Sequence, residues 1–250
     1  MQFEKSKLQW VEYDLLKDHL IIDAKTYLRH GGASEDKFLS LNLSNQVGDS
    51  PDSVKMNRDL IKQDLQTANL IFANQIHSNY VVEITKDSLD KIADADAIVT
   101  KEKGIALAIT HADCQAGLIF DPENEIIAAV HAGFRGLIKN IYQKTIDFMR
   151  DRFNSKPQNI VACISASLCP KHSEFKNYKK EFPESFWSYK KDNYSFDLWL
   201  IAKDQLMKAG LEDKNIEFAN ECTYCNEKDY FSFRKDNKTG RNASVICLKK

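Results

Sequence analysis

Residues 105–132 read IALAITHADCQAGLIFDPENEIIAAVHA. Three apolar runs stand out: IALAI at 105–109, GLIF at 117–120 and EIIAAVHA at 125–132. Each is short, rich in apolar residues and bounded by turn chemistry, which is the pattern of a buried strand rather than a helix. Pro122 and Asn124 mark the turn before the third run. His111, Asp113 and Cys114 interrupt the first two. An imidazole, a carboxylate and a thiol at that point form either a turn at the end of a core strand or a metal or catalytic site there.

Upstream, ADAIVT (95–100) is a further short strand, joined to IALAIT through the charged KEKG turn. LIFANQIHSNYVVEI (70–84) reads as strand, loop, strand, with Asn74 and the pair Ser78-Asn79 supplying the turn residues. LKDHLIIDAKTYLRHGG (16–32) is strand material ending in a Gly-Gly turn. VKMNRDLIKQDLQTANL (54–70) places Val54, Leu60, Ile61 and Leu65 on one side of a helix, with Asp52 and Ser53 available as caps. Downstream, GLIKNIYQKTIDFMRDRF (136–153) predicts one amphipathic helix, with Leu137, Ile138, Ile141, Ile146 and Phe148 on its apolar face. IVACISASL (160–168) is a strand, and FDLWLIAKDQLMKAG (196–210) a helix ended by Gly210. The irregular alternation predicts a mixed α/β fold. Nine glycines and five prolines in 250 residues leave no obvious linker, so one domain over 1–250 is expected.

Hydrophobic residues make up 43% of the chain, enough for a sizeable core, and the formal net charge is −1. That balance does not predict nucleic-acid or anionic-membrane binding. Lysine runs such as YKK at 189–191 read as solvated faces. No apolar run approaches the roughly 20 residues of a membrane span. The N-terminal MQFEKSKLQWVEY lacks the apolar core of a signal peptide. A cytoplasmic protein is expected, with its six cysteines as reduced thiols.

His77, Cys114 and His131 all lie at the edges of apolar strands, where loops carry function on a rigid scaffold. A His, Cys, His set with an open fourth position suits a catalytic zinc ion. Taken singly, each residue is more often packed or exposed, and a buried cysteine is often a small hydrophobe. In HAGFRG, Gly133 and Gly136 bracket Arg135 at a helix start, an arrangement suited to phosphate or to an ordinary strand-to-helix turn. CTYC at 222–225 is a lone CxxC. A zinc ribbon needs a second pair, so structural packing is the expectation here. The chain has no GxGxxG, Walker A loop, HExxH or GxSxG.

Taken in order, LRHGGAS, SLNLSNQVGDSPDSVKMNR, QIHS, DADAIVT, ADC, VHAGFRGL, FDL, CTYC and FSFRKDNKTGRNASVICL resemble the blocks of the YfiH-like family. That family was earlier labelled polyphenol oxidoreductase laccase and later described as purine nucleoside phosphorylase. The resemblance runs from about residue 26 to the C-terminus. It implies a layered α-β-β-α sandwich with mixed β-sheets and a zinc site at His77, Cys114 and His131. It also implies phosphorolysis of adenosine, inosine, guanosine or methylthioadenosine with inorganic phosphate as co-substrate, and in some members adenosine deamination. Arg135 would orient phosphate, and Asp113 would shuttle a proton or support Cys114. Arg29, Asn42 and Arg58 lie in matching blocks and would contact phosphate or ribose, Arg58 being equally suited to a structural ion pair. Copper in place of zinc, with phenol oxidation, is the older alternative, although six histidines are too few for a multi-copper laccase. A metal-stabilised nucleoside binder without turnover, and hydrolysis of a cell-wall precursor, are further alternatives. A monomer is expected.

The chain departs from the family pattern at three places. His111 stands where Thr is usual, and Phe134 where Trp is usual. ISASLCPKHSEF (164–175) replaces a Gly-Pro-rich stretch with paired cysteines. The three metal ligands are untouched by these changes.

Overall fold

The computed structural model describes residues 8–89 and 94–250. The first seven residues of the N-terminal stretch read above lie outside them. The strands are β1 Trp10–Val11, β2 Ile22–Tyr27, β3 Asn69–Phe72, β4 Val81–Glu83, β5 Ala97–Thr100, β6 Ile105–His111, β7 Gln115–Asp121, β8 Ile126–Ala132, β9 Val161–Ile164, β10 Ile216–Phe218 and β11 Asn242–Leu248. The α-helices are α1 Asp14–Lys17, α2 Pro51–Asp64, α3 Phe134–Ile138, α4 Ile141–Phe153, α5 Tyr178–Glu181 and α6 Leu198–Lys208.

The strands form two mixed sheets, ordered β1-β2-β11-β6-β3 and β10-β9-β7-β8-β5-β4. One apolar layer lies between the sheets, built from Leu107 and Ile109 of β6, Leu118 and Phe120 of β7, Ile127 and Ala129 of β8, and Ile246 of β11. A second layer packs Ile119, Ala128 and Val130 of the six-stranded sheet against Ile146 and Met149 of α4 and Ile201 and Leu206 of α6. A third packs Ala106, Ala108 and Val245 of the five-stranded sheet against Ile61 of α2. The result is the expected α-β-β-α sandwich.

This layering explains the apolar runs of residues 105–132. β7 and β8 are buried at every residue because one face meets the other sheet and the other meets helices. Strands covered on both faces read as continuous apolar runs rather than alternating ones. Each large aliphatic side chain so buried contributes roughly 1.5–3 kcal/mol relative to exposure.

Several elements differ from the sequence expectations. The helix expected over 136–153 is two helices. Asn140 between them takes a left-handed conformation, φ 57°, which resets the chain direction before α4. α2 is capped by Ser50, whose side chain accepts from the Ser53 amide at 3.5 Å, with Pro51 in its first turn. Pro at that position has no amide left to satisfy and a preset φ, so the helix starts there rather than at Asp52 or Ser53. Leu60 is only half-buried, and the inward positions of α2 are Val54, Asn57 and Ile61. The 160–168 strand is shorter, ending at Ile164. α6 begins after Asp197, which accepts from the Leu200 amide at 3.0 Å, and the chain turns at Gly210 with φ 101°.

Candidate functional site

The ends of β6, β7 and β8 meet at one edge of the sandwich. β7 and β8 pair antiparallel, with Gln115 opposite Ala132 and Ala116 opposite His131. One step beyond that ladder, Cys114 faces Gly133. A Cβ on Gly133 would stand 3.0 Å from Cys114 Sγ and 3.2 Å from His77 Cδ2. Glycine is therefore what lets the thiol and the His77 imidazole approach each other here. His77 arrives from the β3–β4 connection. His77, Cys114 and His131 each offer a ligand atom, and these atoms lie within 4.8 Å of one another. The two rings meet edge to face at 4.9 Å.

Asp96, at the entry to β5, organises this cluster. Its buried carboxylate accepts from His131 Nδ1 at 2.8 Å, from the amides of Ile76, His77 and Ser78 at 3.3, 3.0 and 2.6 Å, and from the Ser78 hydroxyl at 2.7 Å. Burial alone would raise its pKa, but the hydrogen bonds from His131 and Ser78 prevail and hold it at about 2. With Nδ1 committed to Asp96, His131 is left with Nε2 for a metal, the usual carboxylate–histidine arrangement. Sequence reading passed over Asp96. Its signal was an acid at the start of the apolar strand DADAIVT.

Burial opposes charge on both Cys114 and His131, yet their proximity outweighs it. Cys114 is brought down to about 6 by His131 and His77. His131 is brought up to about 9 by Cys114 and Asp96. The pocket thus favours a thiolate at Cys114, the form that binds metal. The backbone is held tightly at two of the three corners, with His77 at φ 57° and Asp113, next to Cys114, at φ 92°. Non-glycine residues in that region cost about 1–3 kcal/mol and persist where surrounding contacts enforce them.

Those contacts are explicit at Asp113. Its Oδ1 accepts from Thr223 Oγ1 at 2.7 Å and Ser232 Oγ at 2.6 Å, and its Oδ2 accepts from the Arg234 amide at 2.5 Å. Of the two roles expected for Asp113, this geometry matches support of the Cys114 turn; as a proton shuttle it would have to release these bonds.

The other expected residues divide. Arg135 is exposed on the first turn of α3 and lies over the Phe134 ring at 5.2 Å. α3 is only five residues long, so a helix dipole adds little there. Asn42 is buried and saturated. Its amide nitrogen donates to the Ser44 carbonyl and Asp49, and its oxygen accepts from the Ser44 and Arg241 amides. Both polar atoms of the Asn42 side chain are thus engaged within the protein. Arg29 donates to the carbonyls of Leu39 and Glu227 and covers the Phe231 ring at 4.4 Å, tying the N-terminal half to the 227–231 segment. Arg58 donates Nε and Nη2 to the Leu43 carbonyl and lies over Phe72 at 4.1 Å, with no ion pair among the described residues. Its free edge lines a cleft of about 540 Å³ together with Ser44, Gln46, Asn74, Gln75 and Thr110. That cleft is not lined by His77, Cys114 or His131, although Gln75 lies two residues before His77.

His111 is buried outside the cluster. Its Nε2 pairs with Ser244 Oγ at 3.0 Å, and Nδ1 has no partner among the described residues. Burial, reinforced by His131, lowers its pKa to about 3, so it is neutral at physiological pH. Cys222 and Cys225, expected to be packing residues on the ground that no second pair exists, do have partners in the fold. They meet Cys169 and His172 in a second cluster among the described residues.

A donor set of two imidazoles and one thiolate, with the thiolate favoured and one imidazole locked by a carboxylate, fits a zinc-class ion with one open position.

The family model described as multi-copper polyphenol oxidoreductase laccase matches residues 23–249. A purine nucleoside phosphorylase of Corynebacterium glutamicum is 32% identical, covering 89% of this chain and 92% of that protein. One of Haemophilus influenzae is 31% identical, covering 90% and 93%. The crystal structure of a Bacillus licheniformis hypothetical protein, YfiH, superposes with a TM-score of 0.85 at 27% identity, covering 91% of this chain and 93% of that one.

Proposed function

The chain belongs to the multi-copper polyphenol oxidoreductase laccase (YfiH-like) family, and from that premise we propose that it is a metal-dependent purine nucleoside phosphorylase. The observation that carries this reading is the convergence of His77, Cys114 and His131. The names of its relatives supply the substrate class.

A zinc ion held by His77, Cys114 and His131 would supply a Lewis acid with one exchangeable position at the edge of the sheets. The protein's own groups do the rest. Asp96 holds His131 in one tautomer and, through the amides of 76–78, sets the position of His77. Asp113 keeps the turn before Cys114 in its left-handed conformation. Arg135, with its guanidinium in solvent, would recruit phosphate and orient it toward the anomeric carbon as the purine leaves. Arg58 at the neighbouring cleft offers a second cationic edge for the nucleoside or phosphate. Arg29 and Asn42 are assigned to holding the loops and not to substrate.

Two imidazoles and one thiolate make a single open site, whereas multi-copper oxygen reduction requires several coppers; phosphorolysis is therefore the better match to this donor set. The test incubates zinc-loaded protein with adenosine, inosine, guanosine and methylthioadenosine, with and without phosphate, and separates the products by chromatography. Phosphate-dependent release of free base, abolished in Cys114→Ala, is expected. Inosine formed from adenosine without phosphate would instead assign deamination to the same site. Absence of any product would overturn the enzymatic reading.

A further inference from the structure

CTYC at 222–225 has a partner pair in the folded chain. The loop after β9 carries Cys169-Pro-Lys-His172, and the loop after β10 carries Cys222-Thr-Tyr-Cys225. His172 Nδ1 lies 3.3 Å from Cys169 Sγ, 3.6 Å from Cys222 Sγ and 3.4 Å from Cys225 Sγ. All four ligand atoms are within 4.8 Å of one another. A single ring nitrogen has one lone pair or one proton, so three sulfurs around it are not three hydrogen bonds. They are the spacing expected around a shared ion. A tetrahedral centre with Zn–S near 2.3 Å and Zn–N near 2.0 Å puts sulfur and nitrogen about 3.5 Å apart along its edges.

We infer that Cys169, His172, Cys222 and Cys225 form a second metal site, a closed Cys₃His centre for a thiophilic divalent cation of the zinc class. The rest of the local structure is consistent with this assignment. The Cys169 amide donates to Cys222 Sγ at 3.3 Å, a bond that favours a thiolate in the position of a ligand. Tyr224 stacks on the His172 ring at 4.2 Å and 24°, fixing its plane, and Lys235 lies 4.9 Å above Tyr224. The two loops also bridge at Ser167 and Cys222. Ligand spacings of C-x₂-H and C-x₂-C, with four protein donors, leave no position for a substrate, so the ion is structural.

The placement gives the ion a task. Thr223 lies between the two cysteines of CTYC, is fully buried, and donates to Asp113. Leu168, adjacent to Cys169, donates its amide to the Asp113 carbonyl at 3.1 Å. Both clamped loops therefore grip the residue before Cys114. The second ion acts as a positioning element for the first site without touching its ligands.

The test is metal stoichiometry of the full chain, purified in zinc and dialysed to remove loosely held ions. Wild-type protein is expected to retain two zinc ions, Cys225→Ser one, and Cys114→Ala one. X-ray absorption of zinc in Cys114→Ala is expected to show three sulfurs and one nitrogen, a result that needs no variant of the second site to fold. Should wild type hold a single ion that persists in Cys114→Ala with that shell, this site stands and the metal reading of the first one fails. A single ion lost in Cys114→Ala would overturn the second site. So would a disulfide joining any two of Cys169, Cys222 and Cys225 in the purified protein.

Discussion

The molecule holds two cysteine–histidine clusters built in opposite ways. Cys114 and His131 stand at the paired ends of β7 and β8, strands buried on both faces, and His77 reaches them from the β3–β4 connection. Cys169, His172, Cys222 and Cys225 stand entirely on loops. The first cluster takes its geometry from sheet register, with Gly133 opposite Cys114, and from one buried carboxylate, Asp96. Strands hold it, so it can leave a coordination position open. The second has no ladder beneath it, and four ligands are what hold its loops together. An open site needs a scaffold to enforce it, whereas a closed one can be its own scaffold.

The sharpest way to break this comparison is Cys114→Ala. It is expected to abolish metal retention at the strand-edge site and to lower phosphorolysis by more than ~100-fold, given that altering even a ligand's support costs about 10–100-fold. The sandwich should remain folded, checked by an unchanged circular dichroism spectrum. Asp96→Asn comes next. With His131 and three backbone amides losing a charged acceptor, metal affinity or activity at the first site should fall about 10–100-fold, measured by competition with a chromogenic chelator, while the loop cluster keeps its ion. Equal loss from both clusters would mean that they are not independent.

Gly133→Ala tests whether backbone approach sets the open site. Its Cβ would enter within 3.0 Å of Cys114 Sγ, and strain of about 1–3 kcal/mol is expected to appear as weakened metal binding. An unchanged affinity would show that the sulfur can move aside freely.

At His111 the expected effect on metal binding is the smallest, and the readout is pH dependence. Its pKa falls from 6.5 to about 3 on folding because burial disfavours its charge. The unfolded chain therefore binds the proton first. The stability tied to neutral His111 is complete above pH 6.5 and is lost as pH falls from 6.5 toward 3, at most about 1.4 kcal/mol per pH unit. Relative to wild type, His111→Thr should lose less stability between pH 6.5 and 5 in denaturant titrations and should leave zinc content unchanged at pH 7. A drop in zinc content would instead make His111 a ligand.

Sequence reading singled out His77, Cys114 and His131 from their places at the edges of apolar runs and from the family resemblance, and the fold brings their ligand atoms together. A His or Cys in IALAITHADC or EIIAAVHA is conspicuous against such a background. It missed Asp96, whose five donors come from the β3–β4 connection and from His131, and it could not see that Asn42 is already saturated. It read CTYC as a lone pair because its partners lie some fifty residues upstream, in CPKH, where one cysteine and one histidine in a polar loop look ordinary. It read one helix over 136–153 because apolar spacing continues across Asn140, whose left-handed turn leaves no trace in periodicity.

By itself, then, the sequence determined the apolar strands, the mixed α/β class and the residue types able to bind metal. These follow from local patterning and from side-chain chemistry, which travel with the chain. Tertiary structure alone decided which of those residues meet. Convergence depends on register, on the absence of a side chain at Gly133, and on two loops brought together by strands β9 and β10, which pair in parallel. Contacts between distant segments are properties of the packed sheets, and no local pattern encodes them.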